Sequence, residues 1–152
     1  MVRKRLTDEM LLEELKKGLK VSEIRDKYGY VESSTHLYER VRDLGVEFRR
    51  KLSFNRCDSY GRLVYVSRDE FERSGFEDCS YRRVLIDGGV RFVNGGSLSL
   101  SFMNDGSQLI GSIRKSFVER SDFDASSDLW YEVEVGDGFF DVLFFDSRVK
   151  ET

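Results

Sequence analysis

Residues 57–93 read CDSYGRLVYVSRDEFERSGFEDCSYRRVLIDGGVRFV. The runs LVYV (63–66), RVLI (83–86) and VRFV (90–93) are β-branched and apolar, the composition of strands. Gly88-Gly89 separates the last two as a hairpin turn. Working outward, the same signals return. LSF at 52–54 recurs as LSF at 100–102, and Asp58 recurs as Asp105. Glu72-Arg73-Ser74 with Phe76 recurs as Glu119-Arg120-Ser121 with Phe123. VLI-DGG-VRFV recurs as YEVEV-GDG-FFDVLF, where Asp137-Gly138 supplies the second hairpin turn, and the offset stays at about 47 residues. LSLSF (98–102) alternates apolar residues with serine, the period of a half-buried strand. Each copy reads as strand, strand, short helix, strand, hairpin, strand. One such copy is too small to cover its own apolar face, so the two are expected to share a core.

The stretch 57–93 resembles the AbrB/SpoVT/MraZ family. The matching residues are Asp58, Gly61 and Arg62 in a turn, Gly75 and Phe76 at a helix end, and Asp87 and Gly88 at a hairpin tip. The resemblance covers roughly residues 52–145 and implies a swapped-hairpin β-barrel, closed within one chain or between two. In the second copy Gln108-Leu109 replaces the Gly-Arg pair. The resemblance also implies barrel contacts to DNA through arginines, here Arg62, Arg82 and Arg83. Against that, residues 94–152 carry 5 basic and 11 acidic side chains. A dimerisation, partner-binding or effector-sensing role for the barrel is therefore favoured, with Arg62 clamped to Asp58 or another carboxylate.

Upstream, the pattern changes to helical. Thr7 is a good N-cap, Asp8 and Glu9 suit a helix start, and Leu11, Leu12, Leu15 and Leu19 share helical spacing. Ser22 is expected to cap a second helix carrying Ile24 and Tyr28, ended by Gly29. Ser33 or Ser34 caps a third, with Leu37, Val41 and Leu44 inward and Gly45 after it. The segment VSEIRDKYGYVESSTHLYERVRDLG resembles a bacterial and archaeal helix-turn-helix. Arg25 stands where that pattern has a small residue, and the turn is about two residues longer than the standard one. The fold class expected is α+β, with a helix-turn-helix DNA-binding domain at 1–50 and a tandem AbrB-like barrel at 51–152, its repeats near 52–97 and 98–146.

Charge is split along the chain. Residues 1–51 carry 13 Lys and Arg against 10 Asp and Glu, whereas residues 52–152 carry 12 against 18. Polyphosphate attracts the first part and repels the second. On a helical wheel Thr35, His36, Glu39, Arg42 and Asp43 face away from the inner stripe, with Tyr38 and Arg40 at its flanks. The expected DNA contacts are Ser33 and Ser34 with the helix N-terminus on phosphate, Arg42 on guanine, Thr35 on a thymine methyl, and His36, Tyr38, Glu39 and Arg40 alongside. Arg49, Arg50 and Lys51 add phosphate contacts, and Arg3, Lys4 and Arg5 form a basic arm. The alternative for this face is a solvated, partner-binding surface, for which Glu39 and Asp43 argue.

The remaining expectations are exclusions. A chain 39% hydrophobic and 35% charged, of mixed sign, is not that of a disordered protein. No apolar run spans a membrane, no signal-peptide pattern is present, and the expected location is cytoplasmic. Cys57 and Cys79 read as two reduced thiols and His36 as no metal ligand, so neither metal nor cofactor is expected. No catalytic constellation is present, and Gly88-Gly89 and Gly95-Gly96 read as turns and not as a phosphate cradle, so no enzyme is expected. The reading is therefore a sequence-specific transcription regulator, of archaeal or viral type, that binds double-stranded DNA, with a homodimer and a barrel-bound protein or effector as further partners. Its alternatives are an antitoxin-like interaction module and a cradle-loop-barrel nucleotide or flavin enzyme.

Overall fold

The computed structural model describes residues 5–29 and 32–150. In chain order its elements are α1 (Asp8–Lys16), α2 (Val21–Lys27), α3 (Ser34–Asp43), β1 (Glu47–Phe48), β2 (Arg50–Lys51), β3 (Ser53–Phe54), β4 (Arg62–Ser67), α4 (Arg68–Arg73) and β5 (Ser80–Ile86). There follow β6 (Gly89–Asn94), β7 (Leu98–Ser99), β8 (Ser101–Met103), β9 (Gln108–Ile113), α5 (Lys115–Arg120), β10 (Trp130–Val135), β11 (Phe139–Phe145) and β12 (Val149–Lys150). The architecture is mixed α+β, with every strand pairing antiparallel. The chain divides into two compact units, Met1–Arg49 with Ser147–Thr152, and Arg50–Asp146. Among the described residues no helix is long and apolar enough to cross a membrane.

In the first unit each helix begins where local chemistry satisfies its free amides. The Thr7 hydroxyl accepts from the Met10 amide at 3.2 Å and the Ser33 hydroxyl from the His36 amide at 3.1 Å. The second helix departs from expectation. Lys20, not Ser22, is its N-cap, and the Glu23 carboxylate accepts from the Lys20 amide at 3.3 Å. Starting at Val21 places Val21 and Ile24 three apart on the buried face, and that burial outweighs the capping preference of serine. The core joins Leu11, Leu15, Ile24, Leu37 and Val41 to Val149. Val149 arrives from the far end of the sequence, where β12 pairs with β1 through Phe48↔Val149.

The second unit holds two sheets, ordered β2-β10-β11-β6-β5-β7 and β3-β4-β9-β8. Both orders are palindromic with respect to the sequence repeat: β2 and β7, β3 and β8, β4 and β9, β5 and β10, β6 and β11 are equivalent pairs. Equivalent strands meet at the centre of each sheet, β4 against β9 (Val64↔Gly111) and β6 against β11 (Val90↔Val142). The leading strands cross over. β2 of the first copy pairs with β10 of the second, and β7, which opens the second copy, pairs with β5 of the first. The shared core contains Val64, Val66, Tyr81, Phe92, Leu109, Ile113, Tyr131, Phe140 and Val142. Tyr81, Phe92 and Phe140 stack in sequence, with centroids 4.9 Å apart at each step. The tyrosines also repeat. Tyr131 donates to the Tyr65 carbonyl at 2.6 Å and accepts from its amide at 2.9 Å, while the Tyr81 hydroxyl accepts from the Ser112 amide at 3.1 Å. Each phenol thus bonds the backbone of β4 or β9 from the hairpin of the other copy. Gly89 heads β6 instead of sitting in the turn, which is Asp87-Gly88. A Cβ there would strike the Val142 carbonyl oxygen, so the close approach of β6 to β11 requires glycine.

Candidate nucleic-acid interface

The outward face of α3 is the candidate. Leu37 and Val41 are buried, which fixes the rotation of the helix. Thr35, His36, Tyr38, Glu39, Arg42 and Asp43 are all exposed, and Tyr38 leaves 59% of its surface in solvent. An aromatic that exposed contributes nothing to the helical core. The approach to α3 is held from behind. Arg25 of α2 donates through Nε to the Glu32 carbonyl at 3.0 Å and reaches the Ser34 hydroxyl at 3.5 Å. Arg25 thus ties α2 to the residues that open α3.

Arg40 is spent inside the unit. Its guanidinium donates to Asp8 at 2.6 Å, to Glu32 at 2.6 Å and to the Leu6 carbonyl at 2.9 Å. Partial burial lowers its pKa, but the bonds to Asp8 and Glu32 outweigh that and hold it above the ordinary arginine value. His36 Nε2 stands 3.9 Å from the second Glu32 oxygen, and this pairing requires a protonated imidazole. Glu14 is a buried carboxylate behind the same unit. Its bond to Lys27 at 2.8 Å lowers its pKa, burial opposes this, and the charge of Lys17 adds to the lowering.

No family model, curated protein or solved structure matches this chain.

The other predicted basic contacts are divided between the two units. Arg49 belongs to the first unit and donates to the Ser147 and Val149 carbonyls at 3.0 and 2.8 Å. Arg50 belongs to the second, where its two terminal nitrogens grip Glu70 at 2.7 and 2.6 Å. Burial raises the Glu70 carboxyl, yet the Arg50 fork and the Ser67 amide outweigh it and leave the pKa below the ordinary value. Lys51 is exposed, 3.5 Å from Asp128. Arg5 is exposed, while Arg3 and Lys4 lie outside the described residues.

Arg62 corrects an expectation. It is fully buried and touches no carboxylate; it donates to the carbonyls of Leu52 (3.0 Å), Ala125 (2.6 Å) and Ser127 (2.6 Å). Its guanidinium lies 3.8 Å from the Phe54 ring centroid, and its Nε has no partner among the described residues. Burial lowers its pKa, against the pull of Asp128 and Asp124. Asp58 instead packs under Gly61, where a Cβ would meet its side chain at 2.5 Å. Backbone carbonyls converging from two segments accept from the guanidinium in place of a carboxylate, and no spacing in the sequence reveals that convergence. Arg83 is half-buried, donating to the Ser112 carbonyl at 3.1 Å, whereas Arg82 is exposed. The ties made by Arg25 and the return of β12 were likewise hidden from the sequence.

Proposed function

We propose that this chain is a sequence-specific binder of double-stranded DNA and a transcription regulator, with α2 and α3 as its helix-turn-helix and α3 in the major groove. The observation that carries this reading is the solvent-facing row Thr35, Tyr38, Glu39 and Arg42, at helical spacing on an α3 whose opposite face is locked by Leu37 and Val41. Arg42 supplies the guanidinium fork for a guanine edge, Thr35 a methyl contact, and the Ser33-capped end a phosphate contact. His36 and Tyr38 flank them. Arg40 and Arg49 are bonded within the first unit and Arg50 within the second, and all three drop out of the contact set. The first unit carries 13 basic and 11 acidic residues and the second 12 and 17, which also favours the first as the DNA-facing unit.

The palindromic strand order and the exchanged β2 and β7 support a swapped-hairpin barrel closed within one chain, the architecture the AbrB resemblance implies. Selection from random duplexes with the whole chain tests the function. Enrichment of a defined motif, with affinity falling steeply as salt rises, is the expected result. The protein-interaction reading, favoured by the exposed Glu39 and Asp43, predicts no enrichment at all.

A further inference from the structure

The second unit carries an elaborated loop in only one of its two copies. Between β3 and β4 the chain runs through residues 55–61, a tight loop closed by the Asn55 amide on the Gly61 carbonyl at 2.7 Å. Its equivalent between β8 and β9 is the short turn Asn104–Gly106, which holds an acid and no aromatic. The second copy closes the equivalent strand pair with the shorter turn. At its end Tyr60 adopts φ 59°, a left-handed conformation that a bulky residue takes up at a cost, and leaves 44% of its surface exposed. Phe54, 41% exposed, meets it edge-on with centroids 6.3 Å apart. Lys115, the first residue of α5, places Nζ 5.4 Å from the Tyr60 centroid. Arg114 before it and Arg56 on the loop are both exposed. Carboxylates close by are Glu119, 3.5 Å from Lys115, Asp58, half-buried under Gly61, and Asp124 and Asp128, whose charges act on the Arg62 guanidinium behind Phe54. Lys115 therefore borders the exposed Tyr60 ring, and two further exposed cations stand near them in the chain, Arg114 beside Lys115 and Arg56 on the loop that ends at Tyr60, on a unit that is otherwise acidic.

We infer that this corner is a binding platform for single-stranded nucleic acid, with a base stacked on the Tyr60 ring, the exposed part of Phe54 bordering it edge-on, and phosphates held by Lys115, Arg114 and Arg56. Rings accept any base face and the cations follow a flexible backbone, a combination suited to unpaired strands and not to groove reading. The platform belongs to the second unit and α3 to the first, and the inference does not depend on the duplex reading.

Fluorescence anisotropy of labelled dT12 with the whole chain tests it. Tyr60→Gly is the decisive variant: glycine suits the left-handed backbone, so the melting temperature is held or raised while the stacking surface is lost. The expected result is salt-sensitive binding of dT12, weakened about tenfold by Tyr60→Gly and by Lys115→Glu and unchanged by Arg42→Ala. Failure of wild type to bind dT12, equal binding by Tyr60→Gly, or equal binding of an abasic dT12 backbone would overturn the platform. Loss of duplex binding in Arg42→Ala, or its absence altogether, bears on α3 alone.

Discussion

Arg62 shows how much one side chain can be asked to hold. Three carbonyls from two separated segments end on its guanidinium, with the Phe54 ring against it. Arg62→Ala leaves all three acceptors unpaired and opens a cavity, so a loss of about 3–5 kcal/mol is expected, read from the urea midpoint of the second unit. Glu14 gives the first unit a pH signature. Its carboxyl is held below the usual value in the folded state, so its contribution is complete above the ordinary carboxylate pKa and is lost as pH falls through the lowered one. Acid titration of the helical signal should show this loss, and Glu14→Gln should remove part of the acid dependence while lowering stability at neutral pH. The sequence marked Arg62 as important through its Gly-Arg turn but misassigned its partner. A side chain's acceptors depend on which loops converge, and that is a tertiary fact.

Among the elements, those with strong local signals were legible. Thr7, Ser33 and Gly45 bound their helices as capping chemistry dictates, and the 47-residue echo anticipated paired copies of strand, helix and hairpin. Ser33→Ala should cost about 1 kcal/mol of helical-unit stability, measurable as a lowered melting temperature. The start of α2 and strands of two or three residues were not legible, because burial of Val21 and pairing with distant partners decide them. At the centre of the larger sheet, Gly89→Ala forces Cβ against the Val142 carbonyl oxygen. A cost of about 3 kcal/mol is expected in thermal unfolding of the second unit.

For the whole molecule, the division of labour is set by a short return of the chain. β12 places Val149, only 2% exposed, in the core of the helical unit, so that unit depends on both ends of the sequence. Deleting residues 147–152 should destabilise the helices while leaving the unfolding of residues 50–146 nearly unchanged, an outcome hydrogen exchange resolves by region. A fragment ending near residue 51 lacks the same valine, so binding studies belong on the full chain. The central claim is that α3 reads base edges. Its most direct test is the affinity of the full chain and of Arg42→Ala for the duplex enriched from a random pool. A loss of about 1–3 kcal/mol on that duplex, with preference relaxed at one base pair, is the predicted result. Equal affinity and unchanged preference in Arg42→Ala would contradict it.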